Sequence, residues 1–218
     1  MKQQLTRGIL VALEGVDGSG KSTLLARLTS LCNVIIQSVV STKEPGSLDV
    51  PLGQRIRTIV QEKQIPICAK AESLLFASDR AQHFNDVILP ALDKNSLIIS
   101  DRMVDSSLVY QGYGRGLDLA MIDTISTWAS NGKKPDLVLY VQVSAHVAAS
   151  RIAKRKEELT SFEKEIHTQQ LIDGYNTIFK HRDNVIYLNG EQHPETVAHE
   201  AFSKLMHWLA THNALVQQ

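Results

Sequence analysis

Five short apolar runs rich in β-branched residues punctuate the chain: Ile9–Leu13, Val34–Val40, Leu97–Ser100, Leu137–Val143 and Val185–Leu188. Strands buried on both faces of a parallel sheet read this way, because covering helices remove the need for a polar face. Longer stretches at helical spacing separate them: Lys21–Leu31, Leu52–Gln61, Ala69–Leu92, Leu117–Asn131, Ala145–Glu158, Glu165–Lys180 and Glu195–Thr211. Within the third, Leu74, Leu75, Ala77, Ala81, Phe84, Val87 and Ile88 form a helical stripe, and Pro90 is expected to kink the helix or open a last turn. This alternation predicts a doubly wound α/β fold, a five-stranded parallel sheet with helices on both faces. A chain of 218 residues suits one such domain spanning residues 1–218.

Between the first strand and the first helix stands Gly15-Val16-Asp17-Gly18-Ser19-Gly20-Lys21-Ser22, a complete GxxxxGK[ST] in the setting that gives this motif its meaning. Its glycines let the backbone wrap phosphate oxygens, and its N–H groups and the helix N-terminus point at the anion. Lys21 reaches the β and γ phosphates, Ser22 can hold Mg²⁺, and Thr23 follows on the helix. The pattern assigns residues 15–22 and Thr23 to a nucleotide's phosphates but leaves open hydrolysis, switching or transfer. The guanine-reading NKxD of GTPases is missing, Asn131-Gly132-Lys133-Lys134 failing the pattern, which argues against a GTP switch.

Charge sharpens this reading. Lys plus Arg and Asp plus Glu each number 23, so no global basic field points to nucleic acid, and phosphate binding is expected to be local. The polar start Met1–Arg7 and the lack of an apolar run near the ~20 residues of a membrane span predict a cytoplasmic protein without leader or anchor. Cys32 and Cys68 have neither CxxC nor metal-ligand spacing and are expected to be buried thiols. The eight histidines form no metal-binding spacing either.

The third strand ends on Asp101-Arg102, at the edge where open α/β sheets bind ligands. Asp101 can organise Mg²⁺, and the planar fork of Arg102 suits a phosphate. Residues 101–116, Asp-Arg-Met-Val-Asp-Ser-Ser-Leu-Val-Tyr-Gln-Gly-Tyr-Gly-Arg-Gly, resemble the bacterial thymidylate kinase signature DR(Y/H)xDSSxAYQGxxRG. Thr42-Lys43-Glu44-Pro45-Gly46 resembles that family's TREPG loop, Ile56-Arg57 its acceptor-helix arginine, and Leu75-Phe76-Ala77-Ser78-Asp79-Arg80 its LFAASR segment. The resemblance covers roughly residues 8 to 190.

The resemblance implies ATP-dependent phosphorylation of dTMP to dTDP, with Mg²⁺, by a homodimer with a mobile lid. Residues 43–116 would form the acceptor region. In it Phe76 would stack on thymine, Arg80 bond the base edge, and Ser107 and Gln111 complete the pocket. Tyr110 would pack where a ribose 2′-OH projects, Arg57 and Arg102 clamp the dTMP phosphate, and Asp17 approach the acceptor's sugar and phosphate end. Glu44 and Ser106 belong to the same matched segments. Taken singly, Phe76 and Tyr110 also fit core aromatics, Arg80 a solvated helix residue, Ser107 a helix cap and Gln111 a turn residue. Five segments in the family's order carry the site reading.

The family's lid would fall at residues 151–163, opening with Arg151, Lys154, Arg155 and Lys156. Some family members carry arginine where Gly18 stands here, so the lid is expected to supply a catalytic cation beside Lys21, Arg102 and Asp101, with Arg155 the first choice and Arg151 the second. The usual later Asp-Arg of the lid is replaced by Leu159-Thr160-Ser161-Phe162-Glu163. Two alternatives therefore stand: a kinase for another acceptor such as dUMP or a deoxynucleoside, and a module that binds ATP and dTMP without transfer.

Overall fold

A computed structural model describes residues 2–62, 66–154 and 168–216. Five parallel strands lie in the order β2-β3-β1-β4-β5: β1 Ile9–Glu14, β2 Val39–Lys43, β3 Leu97–Asp101, β4 Leu137–Gln142 and β5 Val185–Asn189. The helices between them are α1 Lys21–Ile35, α2 Pro51–Gln61, α3 Ala69–His83, α4 Leu89–Asp93, α5 Val104–Ser107, α6 Leu119–Ala129, α7 Ala145–Lys154, α8 Thr168–Phe179 and α9 Pro194–Thr211. The predicted fold class stands.

Strand period explains the two cores. Along β1, Ile9, Val11 and Leu13 pack with α1 and α9 through Leu24, Leu28, Leu205 and Leu209, while Leu10 and Ala12 face Phe84, Ile88, Tyr175 and Phe179. Each buried Leu or Ile contributes about 1.5–3 kcal/mol relative to exposure, so the central strands anchor whatever loops leave their ends. Tyr140 of β4 meets Tyr175 and Phe179 of α8 at 5.2 and 5.1 Å between ring centroids, fixing α8 beneath the sheet.

Three local expectations are corrected. Helix α1 continues to Ile35 with Val34 69% exposed, and the strand expected over Val34–Val40 starts only at Val39, where pairing with Leu97 begins. The β-branched run therefore ends a helix, tertiary pairing overriding local preference. Cys68 is exposed ahead of α3, so only Cys32 is a buried thiol; burial pushes it up to about 12. The expected Leu117–Asn131 helix spans Leu119–Ala129, because Asp118 caps it by accepting from the Met121 amide.

Pro90 opens a last helical turn, standing in the first positions of α4 as one of the two expectations had it. A π-helical stretch, Phe84–Ile88, widens the turn that faces the ring before the chain continues as α4. A second π-helical stretch, Leu108–Gly114, follows α5 within the segment that matches the kinase signature.

Candidate active site

Leu13 pairs with Asp101, so the loops leaving β1 and β3 share one edge of the sheet. From β1 the glycine-rich loop runs into α1, which starts at Lys21 behind Gly20 at φ 104°. Lys21 is buried and folds over the loop, donating to Val16 O at 2.9 Å and Ser19 Oγ at 3.4 Å. Burial, then the neighbouring Arg102 charge, brings its ammonium down to about 8. Ser22 and Thr23 stand exposed on the first turn of α1.

Asp101 joins the two loops. Its Oδ2 accepts from Ser22 Oγ at 2.8 Å, and its buried Oδ1 has no hydrogen-bond partner. A carboxylate oxygen left without a donor beside a hydroxyl is the donor set a hard divalent cation takes.

Arg102 follows at φ 72°, a left-handed conformation uncommon outside glycine, which swings its guanidinium over the loop. Nη2 donates to Asp17 Oδ1 at 2.5 Å and Tyr110 OH at 2.9 Å; Nη1 donates to Gly15 O at 3.2 Å and Ser106 Oγ at 3.0 Å. The guanidinium carbon lies 4.7 Å from the centre of the Tyr110 ring. Burial acts to raise the Asp17 carboxyl, but Arg102 and Lys21 outweigh it and hold it down at about 2. Tyr110 OH also donates to Asp17 Oδ2.

The acceptor segments meet in a second buried network. Glu44 accepts from Arg80 Nε at 2.9 Å and lies 3.0 Å from His83 Nδ1; Nε2 of the same ring lies 2.6 Å from Thr42 Oγ1. Arg80 also donates to Ser107 Oγ and Ser126 Oγ, both at 3.0 Å, so it is a buried polar tie rather than a solvated helix residue. Burial would raise the Glu44 carboxyl, yet Arg80 and His83 hold it below the usual range. The Gly46 amide donates to Asp79, whose carboxyl burial and Glu44 push up to about 6. Gln111 and Arg115 donate to Glu72 at 3.0 and 3.1 Å. Arg57 donates to Pro45 O at 3.1 Å, and Phe76 is half-buried on α3.

At the other side of the loop Arg151 of α7 donates to Ser19 O at 3.2 Å and Gly18 O at 3.4 Å. Residues 155–163 of the expected lid, Arg155 and Lys156 among them, lie outside the described residues.

Sequence reasoning passed over Glu14, His83, Glu72, Ser126 and Tyr175. A lone acid closing an otherwise apolar strand was the available signal for Glu14. Tyr175 carried none, because only the fold brings it to the loop.

A family model described as Thymidylate kinase matches residues 13–201. A thymidylate kinase of Halothermothrix orenii is 35% identical over 203 residues, covering 91% of this chain and 97% of that protein. A thymidylate kinase of Bacillus cytotoxicus is 34% identical over 199 residues, covering 89% and 95%.

Proposed function

Because this chain belongs to the thymidylate kinase family, and so phosphorylates dTMP to dTDP with ATP, we propose that its glycine-rich loop holds the triphosphate and the Arg102 side of the sheet edge holds dTMP. The observation that carries this division is the convergence of Lys21, Ser22, Asp101 and Arg102 on adjacent strand ends. Two anionic phosphates must be brought into line there, so cations that offset their repulsion and fix their positions supply most of the rate.

In this reading Lys21 sits against the donor phosphates, whose negative charge favours its ammonium form. Residues 15–22 wrap the same phosphates with their amides, and Thr23 extends the contact. Arg102 and Arg57 clamp the acceptor phosphate, with Asp17 at the sugar and phosphate end and Ser106 behind the Arg102 fork. Phe76 stacks on thymine; Arg80, Ser107 and Gln111 line the base edge, Glu44 holding Arg80 in place. Tyr110 fills the space a 2′-OH would need. Arg155, with Arg151 second, supplies the closing cation.

Ser22 and Asp101 would hold Mg²⁺, and the unpartnered Asp101 Oδ1 beside the Ser22 hydroxyl fits that ion. When bound, the magnesium neutralises charge on the phosphate oxygens. We place the enzyme in the cytoplasm, in keeping with the finding that no described helix is long and apolar enough to cross a membrane.

ADP production with ATP and Mg²⁺ against dTMP, dUMP, UMP, CMP, AMP, GMP and thymidine tests the acceptor reading. Selective dTMP turnover, abolished by EDTA, is expected. Preference for another acceptor overturns the base-pocket assignment, and ATP binding without any product overturns transfer.

A homodimer is proposed on a surface observation. Leu52 and Ile59 of α2, Leu74 of α3, and Met121 and Trp128 of α6 are exposed, Trp128 by 81%, and α3 packs against both α2 and α6. Large apolar side chains left exposed on neighbouring helices support an association face there. Leu74→Glu is expected to shift light-scattering mass from twice the 24.2 kDa chain mass to one. Wild-type protein already at one chain mass overturns the dimer.

A further inference from the structure

Glu14 ends a strand in which every other residue is apolar, and it is 0% exposed. Burial, then the nearby Asp105 charge, pushes its carboxyl up, and the Ser106 hydroxyl and Met103 amide act against that. Oε1 accepts from the Met103 amide at 2.8 Å, and Oε2 accepts from Ser106 Oγ at 2.6 Å and Tyr175 OH at 2.9 Å, the two hydroxyls themselves lying 2.9 Å apart. Those two hydroxyls also receive Arg102 Nη1, at 3.0 Å from Ser106 and 3.4 Å from Tyr175, beside the Gly15 carbonyl at 3.2 Å.

A hydroxyl has one proton and two lone pairs. Once both protons point at Glu14, only lone pairs remain to face the guanidinium. The Met103 amide bond meanwhile fixes the backbone directly after Arg102, where the chain is held at φ 72°. One carboxylate therefore sets both the turn that carries Arg102 and the acceptors that aim its fork.

We infer that Glu14 is a positioning residue for phosphoryl transfer, orienting Arg102 through the hydroxyls of Ser106 and Tyr175. The inference rests on the reading of Arg102 as the acceptor-phosphate clamp. Glu14 touches neither substrate, so its effect is expected on the step Arg102 serves and not on ATP.

Glu14→Gln keeps the shape and replaces one oxygen with a donor, so either the Met103 amide or the hydroxyl pair loses its acceptor. The expected result is a roughly 10- to 100-fold loss in kcat/KM for dTMP, the scale of a clamp displaced by about 1 Å. KM for ATP stays within about twofold of wild type. Tyr175→Phe removes one hydroxyl and keeps Glu14; a smaller loss of about 3- to 10-fold is expected, less than multiplicative with Glu14→Gln because the two act through one fork.

Arg102→Ala, measured alongside, separates the two readings. A strong Arg102→Ala defect with Glu14→Gln and Tyr175→Phe within twofold of wild type leaves the clamp standing and overturns the positioning role. A silent Arg102→Ala overturns the clamp and the inference with it. Equal losses for ATP and dTMP with a lowered Tm mark Glu14 as structural and also overturn it. Should Glu14→Gln fail to fold, the Tyr175→Phe split between dTMP and ATP decides the matter alone.

Discussion

Arg102→Ala is expected to lower kcat/KM for dTMP by about 10²–10³, the scale seen when one preorganised donor to a developing charge is removed, about 2.7–4 kcal/mol. The geometry says why so much hangs on one side chain. Its guanidinium bonds Asp17, Tyr110, Gly15 and Ser106 at once, and its charge is the main influence opposing burial on the Asp17 carboxyl. A fork held by that many partners needs little reorganisation when a phosphate arrives. Arg102→Lys tests the fork separately from the charge, since an ammonium cannot span two oxygens in one plane, and an intermediate loss is expected. Stopped assays over a dTMP series, with Tm as the folding control, measure both. A loss under threefold for Arg102→Ala in folded protein sinks the assignment.

The candidate site was legible in the sequence in proportion to how local each part is. The glycine-rich loop is one continuous segment whose chemistry depends on its own backbone, so its residues could be named from spacing alone. Asp101 and Arg102 needed only the further step that strand ends share an edge, and the pairing of Leu13 with Asp101 supplies it. Glu14 defeats such reasoning because its partners come from positions 103, 106 and 175, joined only by folding.

The same contrast runs through the fold. Central strands buried on both faces announce themselves as apolar runs, whereas Val34 and Ile35 belong to a helix that local β preference misreads. The π-helical stretch Leu108–Gly114 was equally illegible, since its wider turns leave no 3.6-residue stripe. Yet it carries Tyr110 toward Asp17 and Gln111 toward Glu72.

Gly18→Arg, which restores the arginine some family members carry in the loop, is expected to weaken ATP binding rather than supply a second catalytic cation. Gly18 sits at φ 79°, and a Cβ there would lie 2.5 Å from the carbonyl oxygen of Ala148 on α7. Left-handed backbone costs a side chain about 1–2 kcal/mol, and an overpacked contact about 1–3 kcal/mol more. Together they amount to about 2–5 kcal/mol, or roughly 30-fold to several thousandfold in affinity. The nearest backbone cannot yield cheaply, because α7 also carries Arg151, bonded to the carbonyls of Gly18 and Ser19. Gly18→Ala separates strain from charge: it adds the Cβ without the cation, so it should show most of the same loss in a fluorescent ATP titration. A Gly18→Arg enzyme that binds ATP as wild type does and turns over faster would mean that α7 leaves the loop in the active form. The cation at Arg151 would then be dispensable, and the two arginine positions would be interchangeable solutions to one charge problem.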